Sequence, residues 1–125
     1  MERFLTQAQH DRMVAALAND IASRGFTDVR ADLQGWTRPE IITWQQTGKG
    51  HIPDVTGVTG GALAIFEVET ADSIADQHTA DQWSLFAAYA AQYGAEFWVV
   101  TPFGSAAAAQ QRLKELGLTA KIGEI

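Results

Sequence analysis

The chain has 125 residues, of which 46% are hydrophobic and 19% are charged, and its formal net charge at pH 7 is −6. This size and composition fit one globular domain with a single core, spanning residues 1–125. No stretch approaches the roughly 20 consecutive apolar residues of a membrane span, which excludes an integral membrane protein. The acidic charge argues against a large basic surface of the kind that supplies most non-specific affinity for nucleic acid.

The amino terminus and the cysteine content indicate the compartment. The first residues, MERFLTQAQHDR, lack the basic start and the apolar core of a secretory signal. The chain has no cysteine, so it has neither a disulfide framework nor a thiolate metal site. A cytoplasmic location is therefore expected.

The amino-terminal part of the chain predicts one helix. Residues 6–9, Thr-Gln-Ala-Gln, match a capping box, the usual start of a helix. Met13, Leu17 and Ile21 then recur at the spacing of an apolar helical stripe. A helix over roughly 7–24 is therefore expected.

Strands follow, separated by turns that contain glycine. Residues 47–50, Thr-Gly-Lys-Gly, have the composition of a hairpin turn, and Gly60-Gly61 divides two further apolar stretches. The predicted strands lie at 28–33, about 40–46, 51–58 and 62–69.

The carboxyl-terminal half alternates helices with strands. Residues 96–100, EFWVV, form an almost continuous apolar run, which is typical of a strand covered on both faces. Gly117 marks the end of the last predicted helix. The predicted elements are a helix over 74–93, a strand over 96–100, a helix over 105–116 and a short strand near 119–123.

The order of these elements predicts the fold class. A helix and three or four strands, followed by helix, strand, helix and strand, indicate an α/β protein with a central mixed sheet flanked by helices. A strand that reaches a parallel neighbour through a helix is expected to make a right-handed crossover. So small a domain exposes much of its sheet edge, which allows a homodimer or a larger host assembly.

The segment FEVET ends the strand predicted at 62–69 in two carboxylates. Because side chains alternate along a strand, Glu67 and Glu69 share one of its faces. A hairpin with the preceding strand brings Asp54 close to Glu67, so the three acids are expected to converge at one end of the sheet. The alternative is that the two glutamates lie where the strand emerges into solvent and that Asp54 begins a turn.

Clustered carboxylates need a compensating positive charge, since like charges resist ionising together and burial adds a desolvation penalty. A hard divalent cation is the simplest source of that charge. Mg²⁺ is commonly held by one or two carboxylates together with waters and a substrate phosphate. The end of this strand is therefore a candidate site for Mg²⁺ or Mn²⁺.

Two short motifs in this region resemble those of the PD-(D/E)XK nuclease superfamily, which has the restriction-endonuclease-like fold. Pro53-Asp54 is similar to the PD element, and Glu67-Val68-Glu69 is similar to the (D/E)XK element. The predicted order αβββαβ, followed here by a further αβ, matches the core of the family. The resemblance therefore covers most of the chain.

The resemblance implies an activity and a set of site residues. Asp54, Glu67 and the Val68 carbonyl are expected to hold Mg²⁺ or Mn²⁺, which activates water to hydrolyse a phosphodiester bond. Gln82 resembles the glutamine of the helix that follows the third strand in several branches of the family. The implied function is that of a metal-dependent endonuclease, a hydrolase that acts on nucleic acid, with DNA as the first expectation and RNA left open.

One position departs from the family pattern. Glu69 stands where the family has lysine, and a glutamate cannot supply positive charge to the attacking water. Some family members resemble this chain in having glutamate there and remain active, so Glu69 is expected to act as a general base or to help hold a second metal. The other interpretation is a non-catalytic protein of the same fold that serves as a binding or assembly module.

Other conspicuous residues have structural interpretations. Gln82 also closes residues 79–82, Thr-Ala-Asp-Gln, a second capping-box pattern. The aromatic residues within 83–93 recur at helical spacing and are expected in the core or in an interface. Trp36 and Trp44 flank a turn, where they either stack nucleobases or pack between strands. Close ligand spacing is absent among His10, His51 and His78, so no zinc site is expected.

Overall fold

The computed structural model describes residues 2–125, with side chains described from Thr6 onward. The helices are α1 (Glu2–Ser23), α2 (Gln77–Tyr93) and α3 (Ala106–Leu116). The strands are β1 (Thr27–Ala31), β2 (Ile42–Thr43), β3 (Gly50–His51), β4 (Val55–Thr59), β5 (Ala62–Val68), β6 (Glu96–Thr101) and β7 (Lys121–Glu124). None of the described helices combines the length with the apolar character that crossing a membrane requires.

The strands form one large and one small sheet. The large sheet has five strands in the order β1-β4-β5-β6-β7. β4 runs antiparallel to both β1 and β5, whereas β6 runs parallel to both β5 and β7. β2 and β3 form a separate antiparallel ribbon. The prediction of an α/β protein with a mixed sheet is therefore confirmed.

Helices cover both faces of the large sheet. The predicted stripe of Met13, Leu17 and Ile21 on α1 is buried against the face that carries Phe66 and Val68. The other face is buried under α2 and α3, which explains the almost continuous apolar run of β6. The core side chains on that side are Ile65, Phe97 and Val99 from the sheet, Trp83, Leu85 and Phe86 from α2, and Ala109 and Leu113 from α3.

The hairpin of β4 and β5 sets the register at one end of the sheet. Gly60 and Gly61 form its turn, and their φ angles of 57° and 77° lie in the left-handed region that favours glycine. From this turn the ladder runs unbroken to the pair Val55 and Phe66. The next position outward on each strand carries an acid of the candidate site.

Neither capping-box pattern marks the start of a helix, and the helix predicted from residue 74 begins three residues later. α1 extends back to Glu2, so residues 6–9 lie inside the helix and do not cap it. α2 begins at Gln77 with Asp76 as its N-cap residue, so residues 79–82 also lie within a helix. A capping-box pattern is short, and Ala and Gln are good residues for a helix interior, which explains why the pattern recurs away from the helix ends.

The strands predicted at about 40–46 and 51–58 are shorter in the structure. Of residues 40–46 only Ile42–Thr43 pairs, and it forms the small ribbon with Gly50–His51. The strand predicted at 51–58 is interrupted after His51 and resumes at Val55 as β4. Pro53 separates this ribbon from β4, because proline has no backbone N–H to donate to a ladder. The other predicted strands and α3 agree with the structure to within two residues at each end.

Candidate functional site

A cleft of about 330 Å³ opens at the end of the large sheet, where β4 begins and β5 ends. α1 borders it on one side and α2 on the other, so side chains of both helices reach the strand ends. The site residues predicted from the sequence, which are Asp54, Glu67, Val68, Glu69 and Gln82, all line this cleft.

Asp54 and Glu67 lie side by side at the open end of the hairpin. The Asp54 backbone N–H donates to Glu67 Oε1 at 3.1 Å, and the Val68 backbone N–H donates to Asp54 Oδ2 at 2.8 Å. Each carboxylate is therefore held by the backbone of the other segment. The structure brings these two acids together as the strand alternation and the hairpin predicted.

Glu67 is a buried carboxylate whose side chain is held within the protein. Burial raises the pKa of Glu67 well above its usual value, and the charges of Asp54 and Glu69 raise it further. The backbone hydrogen bond from Asp54 only partly opposes this rise. The ionised form of Glu67 is therefore less favourable than that of an exposed glutamate, and a nearby positive charge would offset this effect.

Glu69 is also buried, but protein donors surround it. Ser73 Oγ donates to Glu69 Oε1 at 2.7 Å, and Trp83 Nε1 donates to Glu69 Oε2 at 3.1 Å. Burial raises the pKa of Glu69 to about 7, against the opposing effect of these two hydrogen bonds. The carboxylate is therefore partly ionised at neutral pH and held in a fixed orientation.

The alternative in which the strand end emerges into solvent is wrong. Glu67 is 2% exposed and Glu69 is 4% exposed, because α2 and the loop before it cover this end of β5. Burying two carboxylates this closely has an energetic cost that ordinary surface acids do not carry. Such a cost is typical of a functional site, where ionisable groups are kept in strained surroundings.

Gln82 faces the cleft from the second turn of α2 and is half-buried. Its interpretation as a capping residue is wrong, because α2 begins five residues earlier at Gln77. Within the part of the chain that the structure describes, no hydrogen bond engages its side-chain amide. The amide is therefore available to a ligand in the cleft.

His10 is the site residue that the sequence analysis missed. Its Nε2 lies 3.3 Å from Asp54 Oδ2, and its Nδ1 lies 3.5 Å from Asp11 Oδ1. Burial of the ring disfavours the charged form, but the hydrogen bond and the charge of Asp54 outweigh burial and raise the pKa of His10 to about 9. His10 is therefore cationic at neutral pH and brings positive charge to the acids.

A signal for His10 is present in the sequence. The residue lies one helical turn before Met13, so it continues the apolar stripe of Met13, Leu17 and Ile21 toward the amino terminus. A polar residue on the buried face of a helix needs a polar partner at the place where that face meets the sheet. A search for zinc-ligand spacing does not detect this kind of signal.

The cleft contains carboxylate oxygens that the protein leaves open. Asp54 Oδ1 and Glu67 Oε2 accept no hydrogen bond from any residue that the structure describes. The described residues contain no group of three or more His, Asp or Glu side chains able to hold a metal ion. A cation in this cleft would therefore depend on at most two carboxylates, with backbone or water oxygens as its other ligands.

Comparison with known proteins gives no match to a family model, to a curated protein or to a solved structure. The geometry of the cleft is therefore the basis for the functional inference.

Proposed function

We propose that the chain is a metal-dependent nuclease with a restriction-endonuclease-like fold, which hydrolyses phosphodiester bonds in nucleic acid, with DNA as the first expected substrate. The observation that carries this proposal is the pair of Asp54 and Glu67, each with one oxygen open to the same cleft. The order α1, β1, β4, β5, α2, β6 around the large sheet supports it, because this order agrees with the αβββαβ core of the PD-(D/E)XK superfamily.

The cleft fits Mg²⁺ or Mn²⁺ by the chemistry of its donors. Asp54 and Glu67 offer hard carboxylate oxygens, and Mg²⁺ commonly takes one or two such ligands while it keeps several waters. Burial raises the pKa of Glu67, and the charges of Asp54 and Glu69 raise it further, so a cation bound beside Glu67 would favour its ionised form. The proposed ligands are Asp54, Glu67 and the Val68 carbonyl, and a bound cation would polarise the phosphate and activate water.

Glu69 and Gln82 have separate proposed roles beside that pair. Glu69 is fixed by Ser73 and Trp83, and a carboxylate with a pKa near 7 is suited to accept a proton from water at neutral pH. Gln82 offers an unengaged amide, which can donate to a phosphate oxygen or orient the water. Glu69 therefore takes the part of a base at the position where the family has a lysine.

A non-catalytic binding or assembly module is the second candidate. His10 favours it, because the imidazolium already compensates Asp54 without a metal. The net charge of −6 also favours it, since an acidic surface binds phosphates weakly. In this alternative the acids and His10 form an internal polar network that stabilises the end of the sheet.

A cleavage assay separates the two candidates. The purified protein is incubated at low ionic strength with single-stranded, duplex and branched DNA and with RNA, in Mg²⁺ or Mn²⁺ and again with a chelator. A nuclease cleaves at least one of these substrates and loses the activity on chelation. Asp54→Asn should abolish cleavage, whereas Glu115→Gln, which changes an exposed acid on α3, should cleave like the wild type.

Metal binding is measured separately, from the melting temperature. A ligand that binds only the folded state raises that temperature, so Mg²⁺ or Mn²⁺ should stabilise the wild type and the Glu115→Gln variant but not Asp54→Asn. If the protein cleaves none of the substrates and the metal does not change its melting temperature, the non-catalytic candidate would be established.

A further inference from the structure

A second concave surface, of about 300 Å³, lies between the turn that follows β2 and the carboxyl-terminal half of α2. We call it the aromatic groove. Among the described residues, its lining has no charged side chain, although the chain as a whole has a net charge of −6. Its rings and amides belong to Trp44, Gln45, Gln46, Tyr89, Gln92 and Tyr93.

The rings of the groove are held but remain open to solvent. Tyr93 is 52% exposed and Trp44 is 38% exposed. The rings of Tyr89 and Tyr93 are in contact, with centroids 4.6 Å apart, and Gln45 Nε2 donates to the Tyr93 hydroxyl at 3.1 Å. Trp36 differs, because it is partly buried and packs against the core on the α1 side of the sheet.

Lys49 is joined through its backbone to Trp44, which lines the aromatic groove. The Trp44 backbone N–H donates to the Lys49 carbonyl at 2.7 Å, so the two residues are fixed to each other across the base of the turn. The Lys49 side chain is exposed and makes no ion pair within the described part of the chain. Neutral rings and amides, together with a lysine whose backbone is held to Trp44, complement a ligand that carries both flat bases and phosphates.

The aromatic groove and the cleft lie along the same helix. Gln82 lines the cleft, and Tyr89 follows it by about two helical turns, or about 10 Å along the axis. Residues seven positions apart lie on nearly the same side of an α-helix. That distance corresponds to about three stacked nucleotides of one strand.

We infer that the aromatic groove binds unpaired bases of a single nucleic-acid strand that continues from the cleft, an inference that rests on the proposed nuclease function. Bases stack on Trp44 and Tyr93, the glutamine amides contact base edges, and Lys49 neutralises one phosphate. Stacking on aromatic rings accepts every base, and it does not need the dense cationic surface that a duplex requires. Single strands are thus the substrate class that this acidic protein is built to hold.

The inference is tested by measuring the binding of a short oligothymidylate in chelating buffer, where no cleavage occurs. A single strand that contains 2-aminopurine and the corresponding duplex serve for comparison. Trp44→Ala and Tyr93→Ala should each weaken single-strand binding by about tenfold, since one stacked base is lost. Lys49→Gln should reduce the slope of log affinity against log salt by about 0.7. Phe103→Ala is the matched control, because Phe103 is an aromatic residue outside the groove that is 80% exposed, and it should bind like the wild type.

The outcomes separate this inference from the nuclease proposal. Groove variants that lose binding support the groove even if the wild type never cleaves a substrate. Groove variants that bind and cleave like the wild type overturn the groove and leave the nuclease standing. The inference is also overturned if the wild type binds no single strand, or if it binds duplex as tightly as single strand. It is overturned as well if groove variants turn a dimer into a monomer without changing nucleic-acid binding, because the groove would then be a self-association surface.

Discussion

His10 Nε2 and Asp54 Oδ2 lie 3.3 Å apart although the two residues are 44 positions apart in the chain. The contact joins α1 to the start of β4, so the docking of the first helix and the charge of the cleft depend on each other. Asp54 Oδ2 also accepts a hydrogen bond from the Val68 backbone N–H, so only Oδ1 remains open to the cleft. The histidine therefore brings its positive charge to Asp54 without closing the cleft.

Replacement of His10 by glutamine is expected to destabilise the protein at neutral pH. The pKa of His10 is raised from 6.5 to about 9 in the folded state, so its contribution is fully present below pH 6.5 and is lost as pH rises through about 9. Hydrogen bonds to charged groups contribute about 1.5–3 kcal/mol, so urea denaturation should show a loss of that order at about pH 6 and little loss at about pH 10.

Arg24→Gln is the matched control for His10, because it removes an exposed ion pair between Asp20 of α1 and the residue that follows the helix. Exposed pairs contribute little, so this variant should unfold like the wild type throughout. If His10→Gln lowered the free energy of unfolding equally at about pH 6 and about pH 10, the ring would stabilise the protein by packing alone.

Glu67→Gln is expected to stabilise the protein in metal-free buffer at neutral pH. The folded-state pKa of Glu67 lies above 4.5, so the stability associated with its protonated form is present below pH 4.5 and is lost as pH rises. A neutral glutamine avoids that loss and keeps an oxygen for the Asp54 N–H. The gain should be absent below about pH 4 and should grow toward neutral pH.

Glu96→Gln is expected to change the stability in the opposite direction and serves as the comparison for Glu67→Gln. The hydrogen bond from Trp98 and the proximity of Lys121 lower the pKa of Glu96, so its ionised form stabilises the folded state above pH 4.5. This variant should therefore be slightly less stable than the wild type at neutral pH. If Glu67→Gln also proved less stable, Glu67 would have a cationic partner in the metal-free protein.

Trp83→Phe is expected to lower the free energy of unfolding more than Trp98→Phe does, although each variant removes one indole N–H that donates to a glutamate. Trp83 donates to the buried Glu69 at 3.1 Å, and Trp98 donates to the more exposed Glu96 at 3.0 Å. A buried acceptor left without its donor costs about 1–3 kcal/mol. Thermal unfolding should show a difference between the variants that narrows below about pH 7, where Glu69 is protonated; equal losses at every pH would exclude a role for that hydrogen bond.

Ser73→Ala is expected to raise the pKa of Glu69 above about 7, because Ser73 Oγ donates to the ionised carboxylate at 2.7 Å and opposes the effect of burial. A ¹³C NMR titration of the Glu69 carboxyl measures this shift directly. Ser84→Ala is the control, since Ser84 Oγ donates to the Ala80 carbonyl within α2 at 2.8 Å. A pKa that stayed constant or fell in Ser73→Ala would show that another donor holds the carboxylate.

The pair of Asp54 and Glu67 was predictable because it depends only on local rules. Side chains alternate along a strand, and a two-residue turn leaves one way to align the two strands. The alternation also placed Glu67 and Glu69 on one face. The break at Pro53 was harder to predict, because the residues around it alternate well enough for one longer strand.

His10 and the hydrogen bond from Trp83 were not predictable from spacing in the same way. Each depends on how a helix docks on the sheet, which is decided by side-chain packing over the whole interface. The sequence indicates that Trp83 belongs to the core and that His10 lies on a buried stripe. It does not indicate that both residues meet carboxylates at one end of the sheet.

The turn at Gly60 and Gly61 lies at the opposite end of the hairpin from the acids. The five residues of β4 separate them, which corresponds to about 17 Å of extended chain. Exposed turns of this kind usually tolerate an inserted residue. Here an insertion that shifted the pairing by one position would move each side chain of one strand to the opposite face and part Asp54 from Glu67. The length of this distant, solvent-facing turn therefore determines whether Asp54 and Glu67 meet.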